Sequence, residues 1–291
     1  MRSIKRSLRG CGSLLKYLFT SPAPYMAALA LILFLWDRSF ELGRIARQYR
    51  LSIHAGGYFS VLVNHSLSLI MLSFGLVFIL GDAPFLHENA MFEWIRSDRK
   101  SWTAGRVLYI AAVVLIYMLF IQMMICLLSW SLNFGPTWDK VLTTLSTGRS
   151  AGSVSMPVPG LLIAKWNPLQ AMGLTWLLLF LAWFALGLIL FALSAAARRL
   201  AALAFVSALV FSDYLIETMM PYRAYFYSPL SWAKLTVIGD DMNPYAPSMS
   251  FALKALPLLC LALLVLSLWA GMRKKHMLDS LYPVVGGCIY E

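Results

Sequence analysis

The sequence predicts an all-α fold: a polytopic helical membrane protein with six transmembrane helices and an N-terminal interfacial helix. Composition is the first ground for this. The 291 residues are 60% apolar and 13% charged, against about 45–50% and about 25% in soluble domains. That leaves too little charge to cover a water-facing surface. The second ground is hydropathy, which averages +0.73 and is concentrated in runs near the ~20 residues that cross a bilayer. The third is exclusion. Disordered chains are poor in apolar residues, and 18 Gly and 13 Pro are too few for a collagen-like or low-complexity chain.

The elements follow in chain order within a single transmembrane domain, 1–291. Residues 1–20 set Ile4, Leu8, Leu15 and Leu18 among Lys5, Arg6, Arg9 and Lys16, the pattern of a helix lying in the membrane interface. The first span, 22–42, is apolar from Tyr25 to Trp36 and reaches full length only if its charged end stands among headgroups. The second, 57–81, reads as one continuous run. After it, 82–100 opens with helix-start chemistry at Asp82 and Pro84. Its Phe85, Asn89, Phe92 and Arg96 recur at helical spacing. Mixed with acids and bases, this segment has the character of a docking element for a soluble partner.

The third span is 105–130. Spans 169–196 and 200–217 are separated only by the Arg198-Arg199 pair. A single helix from Leu169 to Ile216 would be about 70 Å long at ~1.5 Å per residue, more than twice the hydrocarbon thickness, so a tight hairpin is expected. The last span is 251–272. Loops 131–168 and 218–250 are rich in Pro, Trp and Tyr, which suits a cap at the membrane interface. They are expected to be extracellular.

The formal charge of +11 reads as an orientation signal. Nucleic-acid binding would need a clustered basic domain, so no nucleic-acid partner is expected. The N-terminus, Arg198-Arg199 and Arg273-Lys274-Lys275-His276 fall on one side, which the positive-inside bias makes cytoplasmic. Arg38, Arg44, Arg47 and Arg50 run against it. The expectation is a multi-pass protein of the cell membrane with both termini cytoplasmic.

Catalytic motifs are missing from the sequence. His54, His65, His87 and His276 form no HExxH, and neither GxSxG nor a Walker A sequence occurs. Cys11, Cys126, Cys260 and Cys288 contain no CxxC pair and read as free thiols. No catalytic residue, metal site or cofactor is therefore assigned to this chain. The intramembrane polar candidates are Asn64, His65, Gln122, Asp213 and Lys254, costly at such depth and functional by default. Interhelical hydrogen bonds for the first three, and snorkelling for Lys254, are the plainer alternatives. Asp213 and Lys254 fall at similar depth and are expected to tie the fifth and sixth spans together.

The order of parts resembles the ABC type-2 permeases, the membrane subunits of ATP-binding cassette transporters: a basic interfacial N-terminus, six spans, a charged helix after the second and an outer segment before the sixth. "GGYFSVLVNHSLSLIMLSFGLVFILGDAPF" leading to "WIRSDRKSWTAGRVLYI" is similar to permeases that work with a separate ATPase in bacterial peptide and antibiotic export or resistance. The resemblance implies an ABC type-2 exporter-like fold. It also implies two copies of an ABC ATPase subunit, which binds ATP and Mg, and a second permease, the same or a different chain. Residues 82–100 would be a coupling helix, with Phe85, Glu88, Met91, Phe92, Glu93, Ile95 and Arg96 in a groove of the ATPase. Membrane lipid surrounds the assembly, and the cargo would be a hydrophobic or amphipathic peptide or antibiotic, such as an antimicrobial peptide. Two rival readings are an intramembrane enzyme acting on lipid or peptide through His65 or Asp213, and a non-transporting membrane scaffold.

Overall fold

A computed structural model describes residues 2–81, 99–128, 132–133, 135, 137–147, 157–196, 199–238 and 245–272. Helices α1 (Arg2–Thr20), α2 (Ala23–Tyr49), α3 (Ala55–Asn64), α4 (Ser66–Gly81) and α5 (Arg99–Leu128) form the first half. The second half comprises α6 (Lys140–Ser146), α7 (Gly160–Lys165), α8 (Pro168–Ala196), α9 (Arg199–Met219), α10 (Leu235–Ile238) and α11 (Met249–Met272). Two short 3-10 turns, Tyr222–Tyr227 and Ser231–Ala233, precede α10. The extended pieces β1 (Ile53–His54) and β2 (Leu132–Asn133) pair in parallel, Ile53 opposite Leu132 and His54 opposite Asn133.

Four helices are long and apolar enough to cross a membrane, and up to six spans result if each of two bent helix pairs counts as one. The protein is a multi-pass helical membrane protein. The four are α5, α8, α9 and α11, which match the expected third to sixth spans. Helix α5 begins at Arg99 rather than 105. The bent pairs are α1 with α2, at 64°, and α3 with α4, at 92°.

Helix α1 is fastened along α5. The Ser7 hydroxyl donates to the Ser101 carbonyl at 3.0 Å, and a Cβ added at Gly105 would stand 3.0 Å from the Ser7 carbonyl oxygen. Gly105 is therefore where the two backbones come close. Helix α2 runs past the expected 42 to Tyr49, where Arg50 adopts a left-handed conformation (φ 52°) and its N–H meets the Ala46 and Arg47 carbonyls. Such a left-handed residue closes the orphan carbonyls of a helix end.

The core joins α4, α5 and α8. Tyr117 Oη donates to the Leu72 carbonyl at 2.7 Å, and Trp183 Nε1 donates to Ser73 Oγ at 3.0 Å. Their rings lie 5.3 Å apart at a 56° tilt, a favourable aromatic geometry. Gly75 and Gly187 let the helices close up, because a Cβ would strike Tyr117 at the first and Ile110 at the second. Helix α11 lies along α8, with Cys260 Sγ donating to the Leu181 carbonyl at 3.3 Å.

The expected hairpin forms. Helix α9 turns back beside α4, and Arg199 Nε donates to the Gly81 carbonyl at 2.7 Å, with a second bond from Nη2. A basic side chain here meets a carbonyl at the C-terminus of α4, where cations are favoured. Residues 82–98, with Phe85, Glu88, Met91, Phe92, Glu93, Ile95 and Arg96, lie outside the described residues.

Candidate functional site

The expected continuous span 57–81 is broken. His65 has extended backbone angles (φ −89°, ψ 119°), and α3 and α4 diverge at 92°. Side chains from the break itself meet backbone groups on both sides of it and on α10. Asn64 Nδ2 donates to the Ser60 carbonyl at 2.8 Å, and Asn64 Oδ1 accepts from the Thr236 N–H at 2.9 Å. The Ser68 N–H donates to His65 Nδ1 at 3.3 Å, so His65 caps α4. His54 caps α3 in the same way, accepting from the Gly57 N–H at 3.0 Å. Irregular backbone at membrane depth persists only where its polar groups are met inside the protein.

An ion-paired cluster sits at this break. Asp213 and Glu217 stand one turn apart on α9, and Asp213 is about 21 Å along the helix from Arg199 at ~1.5 Å per residue. Between them comes Lys234, delivered at the start of α10. Its Nζ donates to Asp213 Oδ2 at 2.8 Å and to Glu217 Oε2 at 2.5 Å. Asp213 Oδ1 also accepts from Ser228 and Ser231, each at 2.6 Å. Ser66 donates to Glu217 and lies 3.4 Å from Lys234 Nζ. The side chains of Asp213 and Lys234 are wholly buried, whereas Glu217 keeps 28% exposure.

A buried ion pair is tolerable only when further hydrogen bonds meet its remaining lone pairs and protons, and the two serines do this for Asp213. The cluster joins three elements: the break, α9, and the segment from Tyr222 to Ile238. The charges of Arg38, Glu217 and Lys234 also act on His65. An ammonium that donates to two carboxylates has no lone pair with which to draw a proton from Ser66. As built, the constellation clamps elements together rather than activating a nucleophile.

Of the polar candidates, Asn64, His65 and Asp213 are brought into this neighbourhood. The expected Asp213–Lys254 tie is replaced, because Lys234 takes Asp213 and Lys254 is exposed on α11. Lys234 lies between α9 and α11, outside every span, so depth within a span does not single it out. The signal that points to it is a single cation in "SPLSWAKLTVI", an apolar and aromatic stretch. Gln122 makes an interhelical bond instead, with its Oε1 accepting from Trp176 Nε1 on α8 at 3.5 Å.

A second polar cluster holds the start of α3. The His54 N–H donates to the Asp139 carboxylate. His54 Nδ1 accepts from Gly57, so the proton is assigned to Nε2, which meets the Gly135 carbonyl at 2.8 Å. Burial pushes the Asp139 carboxyl above its ordinary value, while the hydrogen bond from the His54 backbone N–H pulls the other way. Among the described residues no three His, Cys, Asp or Glu side chains converge as metal ligands.

Compared with known proteins, the chain matches no protein family, no curated sequence and no solved structure. What it can do is therefore read from its own geometry, that of a multi-pass helical membrane protein with a broken span clamped by buried charge.

Proposed function

We propose that this chain is the membrane-spanning permease subunit of an ATP-driven ABC transporter that exports a hydrophobic or amphipathic cargo such as a peptide or antibiotic. A separate ATPase, in two copies, binds ATP and Mg and docks on residues 82–100. A second permease, the same or a different chain, completes the pathway. The Arg199 side of the bundle is then cytoplasmic, with both termini.

The observation that carries this reading is the broken second span with its buried ion cluster. Discontinuous helices at membrane depth occur where a cavity or moving part is built, and paired charges there are functional by default. The cluster is also connected to the docking segment. Helix α4 is a rod of about 24 Å at ~1.5 Å per residue, running from the break to Gly81, immediately before 82–100. Arg199 ties its end to α9, the helix that carries Asp213 and Glu217. Displacing the docking segment therefore moves two rigid elements that meet again at the break, and packed elements with two discrete arrangements are what transmit such displacements.

Co-purification with the ATPase tests the docking assignment. Phe92→Glu and Arg96→Glu are expected to abolish assembly and the ATP turnover that depends on it, while the chain still folds. Unchanged assembly and turnover in both variants would remove residues 82–100 from the coupling role.

A further inference from the structure

A lateral groove of about 730 Å³ lies between α2, α4 and α9, a volume within the range of ~300–1,000 Å³ typical of small-ligand sites. Its walls include Ala27, Ala30, Phe34, Phe74, Phe78 and Leu203. The alanines leave one face of α2 without bulk. On α2 the lining runs from Ala23 to Phe34, about 17 Å at ~1.5 Å per residue. That matches one leaflet, half of a hydrocarbon core of about 30 Å. The rim faces outward through Met26, Met71 and Phe78, each roughly half exposed, at 64%, 47% and 52%. On a membrane-facing surface such an apolar rim meets acyl chains.

The ends of the groove differ. Among the described residues that line it Arg199 is the only charged one, and it stands at the end of α4 where Gly81 accepts its bonds. At the opposite end Phe34 closes the groove beneath the Arg38 guanidinium, 5.6 Å from the ring centroid. A chain entering from the Arg199 side would carry its headgroup to a guanidinium, the side chain best suited to a phosphate, and basic pockets between membrane helices bind anionic headgroups.

We propose that this groove is a binding site for one acyl chain of an anionic phospholipid, its phosphate at Arg199. The lipid belongs to the leaflet on the Arg199 side and fills the seam that α2, α4 and α9 leave open. Occupation holds α2 against the two helices that meet at the ion cluster.

Native mass spectrometry of the full-length protein tests this after partial delipidation, with phosphatidylglycerol and phosphatidylcholine added as competing probes. The wild-type chain is expected to retain one phosphatidylglycerol several-fold better than phosphatidylcholine. Ala30→Trp fills the groove without touching a charge and is expected to lose that retained lipid while remaining monodisperse. Arg199→Gln is expected to keep a lipid but lose the preference for phosphatidylglycerol. Equal retention of both lipids by the wild type, or undiminished phosphatidylglycerol in Ala30→Trp, would overturn the proposal. An intermolecular disulfide forming efficiently through Ala30→Cys would overturn it as well, giving the groove to a second copy of the chain.

Discussion

Two regions solve the same problem, burying polar groups away from water, in opposite ways. Where α4, α5 and α8 meet, the helices are continuous and close together. Glycine removes bulk at Gly75 and Gly187, aromatic rings fill the space, and Trp183 and Tyr117 each send one hydrogen bond across. At the break between α3 and α4 the backbone is irregular, and the region is held by buried charge: Lys234 between Asp213 and Glu217, with serines and Asn64 meeting what remains. The first arrangement is held by shape and tolerates loss of one polar contact. The second is held by electrostatics, and removing one member leaves a buried charge without its partner.

Lys234→Met should therefore have the largest effect on stability. Breaking a buried pair from one side costs about 3–5 kcal/mol, read as a lower unfolding midpoint in detergent. Asp213→Asn added to Lys234→Met should recover part of that loss, because neighbours in one network are not additive. Additive losses would mean that the pair is not coupled. The exposed Lys254 supplies the contrast, and Lys254→Met should stay within about 0.5 kcal/mol, as surface changes do. A large loss there would restore the Asp213–Lys254 tie.

The packed region should fail by volume instead. Gly187→Val places a side chain against Ile110 and should cost about 1–3 kcal/mol, the usual effect of overpacking. A neutral result would mean that α5 and α8 are not in close contact.

The smallest expected effect concerns pH and lies at the start of α3. Burial raises the Asp139 carboxyl in the folded protein, so the folded state holds that proton more tightly than the unfolded one. The stability this contributes is present at low pH and is lost as pH rises from the ordinary aspartate range through the raised value. Asp139→Asn keeps an acceptor for the His54 N–H and should flatten that decline. An unchanged stability profile between pH 4 and pH 7, scanned in about half-unit steps, would mean that Asp139 does not titrate with folding.

The packed region was legible in the sequence because apolar length is what a bilayer demands, and the third to sixth spans follow from it. The Arg198-Arg199 hairpin followed from a length that one helix could not fit. The break was not legible. Asn64 and His65 sit in a run whose average hydropathy still reads as one span, and a histidine is not among the usual N-terminal caps. Lys234 was hidden for a different reason: it lies outside every span, and only the fold of the segment between α9 and α11 brings it to Asp213. Asp213, by contrast, was marked by its cost at that depth, but its partner could not be chosen from depth alone. The mixed charge of segment 82–100, for the most part outside the described residues, was legible as a pattern, and the coupling role proposed for it comes from that pattern and the resemblance.

The transport reading stands or falls on movement of cargo. Proteoliposomes containing the chain and the proposed ATPase, loaded with a fluorescent amphipathic peptide, should show ATP-dependent peptide movement. ATP turnover by the wild-type assembly with no movement of any amphipathic probe, or movement that is indifferent to ATP, would contradict the account.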